Sequence, residues 1–377
     1  MVVACGAHAL HDGFTDLLYV LLPLWQVEFG LGYAEVGALR AVYAGAMAGF
    51  QLPAGGLANR FGGPLVLALG TALAGLGYMM AGISAGFAML TVALVLGGLG
   101  SSAQHPIAAN LVAHAFAGSR SRAALAGYNF SGDLGKMALP AVTAGLVALL
   151  PWRSAAVILG IIGFAGAALV LLARVPSAGA ARENIAAGAP ASWSAGRGFP
   201  LLLSIGVIDS ATRMGFLTFL PFLLRMKGAG LPVIGIALTL VFAGGAAGKL
   251  VCGFLGARLG VVRAVFITEG LTAVGILALL PLPLTAGLAV LPLIGIALNG
   301  TSSVLYGTVP ELVAPERRQR AFSIFYTAVI GAGALSPVLY GLASDAVGVP
   351  VMMTLIAGVV FFTLPLAWGL GPVLRRI

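Results

Sequence analysis

His8, His11, Asp12 and Asp16 place two imidazoles and two carboxyls within nine residues near the start of the chain. At about 100° per residue on a helix, His8, Asp12, Thr15, Asp16 and Tyr19 fall on one stripe, with His11 at its edge. Carboxyl and imidazole groups side by side give a proton two places to rest, and imidazole titrates close to neutral pH. A packing network among aspartates, hydroxyls and histidines is the plain alternative. Two carboxyls and two imidazoles exceed what packing requires, so Asp12, Asp16, His8 and His11 are candidate proton carriers.

Three further groups could meet a ligand. In Gly98-Leu99-Gly100-Ser101-Ser102-Ala103-Gln104-His105-Pro106, the residues Ser101, Gln104 and His105 are expected on one helix face. Pro106 has no N–H for the Ser102 carbonyl, which predicts a kink and a freed acceptor beside His105. Such a site suits a gate or a ligand contact, or a simple helix-helix hydrogen bond. Tyr128, Asn129, Gly132, Asp133, Lys136 and Pro140 gather on one side of a later helix. There Asp133 and Lys136, three residues apart, are expected to pair. A substrate carboxylate or phosphonate that displaced Asp133 from Lys136 would couple binding to protonation. Arg40, in register with Tyr43, Met47 and Gln51, and Arg213, one turn after Asp209, offer planar forks for anionic oxygens. Snorkelling of Arg40 and simple pairing of Arg213 with Asp209 are the plain alternatives.

The second half is more neutral. Asn299, Ser303 and Tyr306 share a face, Tyr326 lies in the next apolar run, and Tyr306, Tyr326, Phe216 and Phe219 are expected to form aromatic walls that read substrate shape. Lys249, Glu269 and His114 are expected near the cytoplasmic ends of their helices, in interfacial or loop-bracing roles.

The elements that position these groups must be apolar. The chain has 377 residues, of which 60% are hydrophobic and 8% charged, whereas about a quarter of a soluble protein is charged. Its mean hydropathy is +1.07. At about 20 residues per span there is room for a dozen membrane helices with short connections. Apolar runs near 3–29, 33–56, 64–84, 87–114, 123–148, 154–174, 199–225, 232–256, 263–282, 286–312, 321–345 and 350–373 predict twelve. Continuous rather than alternating runs exclude a β-barrel. The net charge of +9 is topological rather than a nucleic-acid footprint. Arg60, Arg120, Arg122, Arg174, Arg182, Arg197, Arg258, Arg263, Arg317, Arg318, Arg320, Arg375 and Arg376 all fall in alternate connections or at the C-terminus. The positive-inside rule then puts both termini in the cytoplasm. Cys5 and Cys252 suggest neither a disulfide nor a metal site, and no cleavable signal is expected.

Pro23, Gly30, Gly37, Gly55, Leu57, Arg60 and Gly62 recur without a gap, 198 residues on, at Pro221, Gly228, Gly235, Gly253, Leu255, Arg258 and Gly260. A repeat of this length in an apolar chain predicts two homologous six-helix bundles, the architecture of many secondary transporters. Residues 1–174 form the first expected bundle, 175–198 a polar cytoplasmic linker and 199–377 the second bundle. Gly55-Gly56-Leu57-Ala58-Asn59-Arg60-Phe61-Gly62 resembles the Gly-x-Leu-Ala-Asp-Arg-x-Gly motif of the major facilitator superfamily, and the resemblance extends over nearly the whole chain. Gly253 to Gly260, containing Arg258, is a weaker copy. The resemblance implies an all-α transporter of twelve membrane helices whose cytoplasmic gating loop holds Gly55, Asn59, Arg60, Gly62 and Arg258. Asn59 and Ala257 stand where the family has aspartate. The segment Gly-Ser-Ser to His-Pro, with His8-x-x-His11-Asp12, is similar to the fosmidomycin-resistance type of exporter, although Ile107 replaces the acidic residue common there.

The resulting expectation is a proton-coupled carrier of a bacterial-type inner membrane, exporting a small anionic or amphiphilic, drug-like compound by alternating access. Uptake of an organic anion by symport is the alternative, and a transition-metal exporter using His8, His11, Asp12 and His105 is more remote. No Walker loop, His-Glu-x-x-His or Gly-x-Ser-x-Gly is present, so neither ATP-driven transport nor an enzyme is expected. The expected partners are a small substrate, protons and the bilayer, with no cofactor, metal or nucleic acid, for a chain acting as a monomer. Arg40, Tyr19, Gln104, His105, Asn129, Lys136, Asp209, Arg213, Asn299, Tyr306 and Tyr326 are the expected substrate contacts, with Asp133 added to the proton set.

Overall fold

Fourteen α-helices and two short 3-10 turns carry the described residues, 1–116, 119–173 and 196–375, in a computed structural model without β-strand among them. In chain order the helices are α1 (Val2–Phe29), α2 (Tyr33–Phe61), α3 (Gly63–Gly82), α4 (Phe87–Ser101), α5 (Gln104–Ala115), α6 (Ser119–Leu149) and α7 (Trp152–Leu172). The rest are α8 (Gly198–Met226), α9 (Leu231–Leu259), α10 (Val261–Leu279), α11 (Leu284–Thr308), α12 (Arg318–Val347), α13 (Val349–Phe361) and α14 (Thr363–Leu374). Ten stretches have the length and apolarity to cross a membrane, with α4–α5 and α13–α14 each counted as one. α1 and α2, 28 and 29 residues long, are long enough but more polar, and they complete the twelve passes. Most of the expected linker, with Arg174, Arg182 and Arg376 and the side chains of Arg120, Arg122 and His114, lies outside the described residues.

The repeat is visible in the backbone. Gly30 and Gly228 have φ of 62° and 86°, and Gly62 and Gly260 have φ of 92° and 79°. A left-handed residue ends each helix, and glycine adopts it without a Cβ penalty. The expected 55–62 loop is narrower than its motif suggests. α2 runs on to Phe61 and α9 to Leu259, so Gly55, Asn59, Arg60 and Arg258 are helical and Gly62 and Gly260 alone make the turns. Arg60 and Arg258 lie over the rings of Phe61 and Phe254, 5.2 and 4.3 Å from the centroids.

Two compact units divide the chain: Met1–Ala181 with Leu224–Thr239, and Arg182–Leu223 with Leu240–Ile377. The sequence expectation gave 224–239 to the second bundle, whereas this segment groups with the first. Arg225 Nη1 donates to the Pro23 carbonyl at 2.9 Å and Thr239 Oγ1 to the Met137 carbonyl at 2.7 Å, which explains the grouping.

Within the first unit α1 packs along α6, and small residues set how closely. A Cβ on Gly135 would collide with the backbone carbonyl of Ala9, and one on Gly13 would lie 2.8 Å from the Gly135 carbonyl oxygen. Membrane helices gain little from the hydrophobic effect when they associate, so close backbone approach supplies the attraction. Gly135→Val should therefore cost stability at the upper end of about 1–3 kcal/mol. Gly45→Val, where a Cβ meets nothing within 4 Å, should be near neutral; melting temperatures of the two variants in detergent check this, and equal values would show that the approach is not required.

Candidate functional site

Asp12 is the centre of the first unit's polar interior. Its Oδ2 lies 3.3 Å from Lys136 Nζ on α6 and 3.5 Å from His8 Nε2, and its Oδ1 lies 3.6 Å from His105 Nε2 on α5. Gly132 makes this possible, since a Cβ there would sit 2.6 Å from Asp12 Oδ2 and 2.8 Å from His8 Nε2. Asp12 and His8 are buried. His105 and Lys136 side chains are 45% and 32% exposed, so they are the members that reach the unit's surface.

The geometry assigns the hydrogen on His8. Its Nδ1 lies 2.8 Å from the Tyr128 carbonyl, which can only accept, so Nδ1 carries the hydrogen. The ring also stacks on Tyr128, with centroids 4.1 Å apart. In the neutral imidazole Nε2 is then bare and faces a carboxylate oxygen. Lys136 Nζ, 3.3 Å from the same Asp12 oxygen, supplies the positive charge there.

His11 has different surroundings. Its Nε2 is 2.9 Å from Thr71 Oγ1, and Thr71 gives its own hydrogen to the Leu67 carbonyl at 2.8 Å. Thr71 therefore accepts from His11. The other nitrogen, Nδ1, lies 3.4 Å from Ser101 Oγ, which is 2.7 Å from the Tyr43 hydroxyl. A neutral imidazole satisfies both neighbours, so His11 ties α1 to α3 and α4 and differs in kind from His8. Thr71, Ser101 and Tyr43 are its unforeseen or only partly foreseen partners.

Other expectations are revised by packing. Lys136 forms an ion pair with Asp12, because the glycine face of α6 brings α1 within reach. Asp133 is buried and adds its field to Lys136 from one turn away. Arg40 does not snorkel: it is 3% exposed, its Nε donates to the Tyr19 hydroxyl at 3.2 Å, and Asp16 is within its electrostatic reach. The helix breaks between Ser101 and Gln104, where Pro106 leaves the Ser102 carbonyl without an N–H. As a result Ser101, Gln104 and His105 part company. Ser101 meets Tyr43, Gln104 donates to the Tyr128 hydroxyl at 3.1 Å, and His105 turns to Asp12. Asn129 is exposed on α6.

In the second unit Arg213 Nη2 lies 3.9 Å from Asp209 Oδ2, the expected local pair. Asn299 donates to the Gly295 carbonyl at 3.3 Å. Tyr306 and Tyr326 stack with centroids 4.6 Å apart, but Phe216 and Phe219 are fully buried and line no open wall. Lys249 is exposed, in keeping with an interfacial place. Glu269 is not interfacial: it is 2% exposed and within the electrostatic reach of Asp209. The 198-residue offset, which sets Asp209 on His11 and Glu269 on Thr71, was the signal that could have placed it.

The helical passes and the paired glycine turns define a polytopic membrane protein made of two repeated halves. Its sequence matches the profile of the Major Facilitator Superfamily over residues 4–205 and again over 202–376, and the chain belongs to this superfamily of membrane transporters. It is 26% identical over 136 residues to the Probable L-galactonate transporter of Escherichia coli (strain K12), over 36% of this chain and 30% of that protein. It is also 26% identical over 142 residues to the Fosmidomycin resistance protein of the same strain, over 38% and 35%. The chain thus aligns with about a third of the length of each relative. Its fold resembles a bacterial homolog of the human lysosomal transporter Spinster in the inward-facing and occupied conformation, with a TM-score of 0.82, 16% identity, and 98% and 96% of the two chains covered. The unoccupied inward-facing form gives a TM-score of 0.81 at 18% identity, covering 100% and 97%.

His8→Asn keeps a donor for the Tyr128 carbonyl but cannot hold a proton toward Asp12, whereas His11→Gln keeps a donor for Thr71. Nitrogen-15 NMR of labelled histidine should show a signal from a ring protonated at Nδ1 that is lost in His8→Asn and retained in His11→Gln. The opposite pattern would reverse the two assignments.

Proposed function

We propose that the chain is a proton-coupled carrier of a small organic anion, a carboxylate or phosphonate, working by alternating access as a monomer in a bacterial inner membrane with both termini cytoplasmic. The supporting observation is that Asp12 occupies Lys136. An incoming anion competes for the same ammonium group, and a displaced Asp12 is a buried carboxylate without its cation. Protonation relieves that cost of several kcal/mol, so anion binding and proton binding favour each other. His105 and Lys136 receive the anion, His8 exchanges the proton with Asp12, and Arg40 with Tyr19 and Asp16 extends the polar face one turn along α1. Asp133 tunes Lys136, and Gln104 fixes Tyr128 beneath His8. Asn129 lies at the exposed edge of this face.

This competition favours the symport form over the export expected from sequence, since anion and proton occupy the site together. Export is the second reading, supported by the His-Pro segment and by similarity to the fosmidomycin resistance protein. Energetics separate them. One monoanion moving with one proton carries no net charge and is driven by about 1.4 kcal/mol per pH unit. Antiport of the same pair moves two charges, worth about 4.6 kcal/mol per 100 mV. Uptake of gluconate or methylphosphonate into proteoliposomes should follow an imposed pH difference and ignore a potassium-valinomycin potential; a rate that follows the potential would favour antiport.

Asp12→Asn should abolish accumulation driven by the pH difference while retaining exchange of labelled for unlabelled anion. Accumulation that survives in this variant would remove Asp12 from the coupling. A transition-metal cargo has one observation in its favour, because ligand atoms of His8, Asp12 and His105 all lie within 4.8 Å of one another. Lys136 Nζ on Asp12 opposes it, since a dication would have to displace that ammonium group. Metal analysis of the purified protein is expected to find no stoichiometric ion, and finding one would favour the metal reading.

A further inference from the structure

The second unit holds a buried acid pair that the mechanism above does not use. Asp209 on α8 and Glu269 on α10 are 3% and 2% exposed, and each lies in the other's electrostatic field. Two buried carboxylates in each other's field repel, so the pair is stable there only while one of the two carries a proton. Thr301 on α11 bonds to Thr268, the residue before Glu269. Its hydrogen goes to Thr268 Oγ1 at 2.7 Å, and Thr268 passes its own to the Ala264 carbonyl at 2.9 Å.

Charge balance agrees. Arg213 is the cation at the site, with Nη2 3.9 Å from Asp209 and Nη1 3.5 Å from Ser302 Oγ, and Tyr306 on α11 is within electrostatic reach of Asp209 and Arg213. Two carboxyls, one guanidinium and one proton sum to zero. Removal of the proton would leave two carboxylates in each other's field with a net negative charge, which burial forbids unless water enters or Arg213 closes on the pair. Arg213 has a buried Nε without a partner among the described residues, so it has hydrogen-bonding capacity to give.

The repeat shows that the position is a built contact. An offset of 198 residues maps Asp209 onto His11 and Glu269 onto Thr71, and in the first unit those two are hydrogen-bonded at 2.9 Å. The first half fills the contact with a neutral imidazole and a hydroxyl. In the second half it is filled by two acids.

We propose that Asp209 and Glu269 form a second proton-binding site, which holds one shared proton in the buried state and gives it up when the site is hydrated, with Arg213 then taking Asp209. Its use in the transport cycle rests on the proton-coupled reading above; the shared proton does not.

Infrared difference spectroscopy of the protein in membranes, in H2O and D2O across a pH titration, tests it. The expected result is a buried carboxylic-acid band that exchanges with D2O and titrates, is absent in Glu269→Gln and in Asp209→Asn, and persists in Asp12→Asn. Two variants are used so that misfolding of one does not decide the outcome. A band unchanged in both folded variants would overturn the shared proton. A band that neither exchanges nor titrates would reduce it to a structural hydrogen and overturn the site's role. Failure of the Asp12 mechanism would show instead as anion-coupled proton movement surviving in Asp12→Asn, with the infrared result unaffected.

Discussion

Asp12 carries a charge into an apolar bundle, where an unbalanced carboxylate is too costly to keep, and the arrangement around it follows from that requirement. Lys136 supplies the cation, His8 supplies a nitrogen whose hydrogen is fixed elsewhere by the Tyr128 carbonyl, and His105 brings a third basic group from α5. With Asp12 ionised and Lys136 charged the group is neutral. One added proton makes it positive, and a bound anion would restore neutrality. The same constraint that holds the helices in place underlies the proposed link between a proton and an anion.

The constraint can be met only because α1 and α6 come close. Gly135 lies against the Ala9 carbonyl and Gly132 against Asp12 and His8, so the ion pair and the backbone contact depend on the same small residues. Pro106 acts in a parallel way on α4 and α5. By breaking the ladder after Ser101 it sends Ser101 toward Tyr43 and His11, Gln104 toward Tyr128, and His105 toward Asp12. One interrupted helix thus supplies partners to both His11 and Asp12.

Features set by local geometry were legible in the sequence. The positive-φ turns at Gly30, Gly62, Gly228 and Gly260 follow from glycine's freedom, and the buried stripe of α1 follows from helical periodicity. Partner choice between helices was not legible. Spacing of three residues paired Lys136 with Asp133, but local spacing carries no information about a neighbouring helix, so it could not show that Asp12 on α1 pairs with Lys136. Glu269 was misplaced because the apolar run was taken to begin at Arg263. α10 starts at Val261, which puts Glu269 eight residues, about 12 Å, into the helix. Phe216 and Phe219 were assigned to a wall by residue type alone, and burial decided otherwise.

The most direct test of the account is whether anion binding itself takes up a proton. Purified protein in weakly buffered detergent solution near neutral pH, mixed with gluconate or methylphosphonate beside a pH-sensitive dye, would report this without any membrane gradient. The account predicts proton uptake on binding in the wild type and none in Asp12→Asn. Proton release on binding, or uptake of equal size in the variant, would contradict the competition between Asp12 and the anion for Lys136.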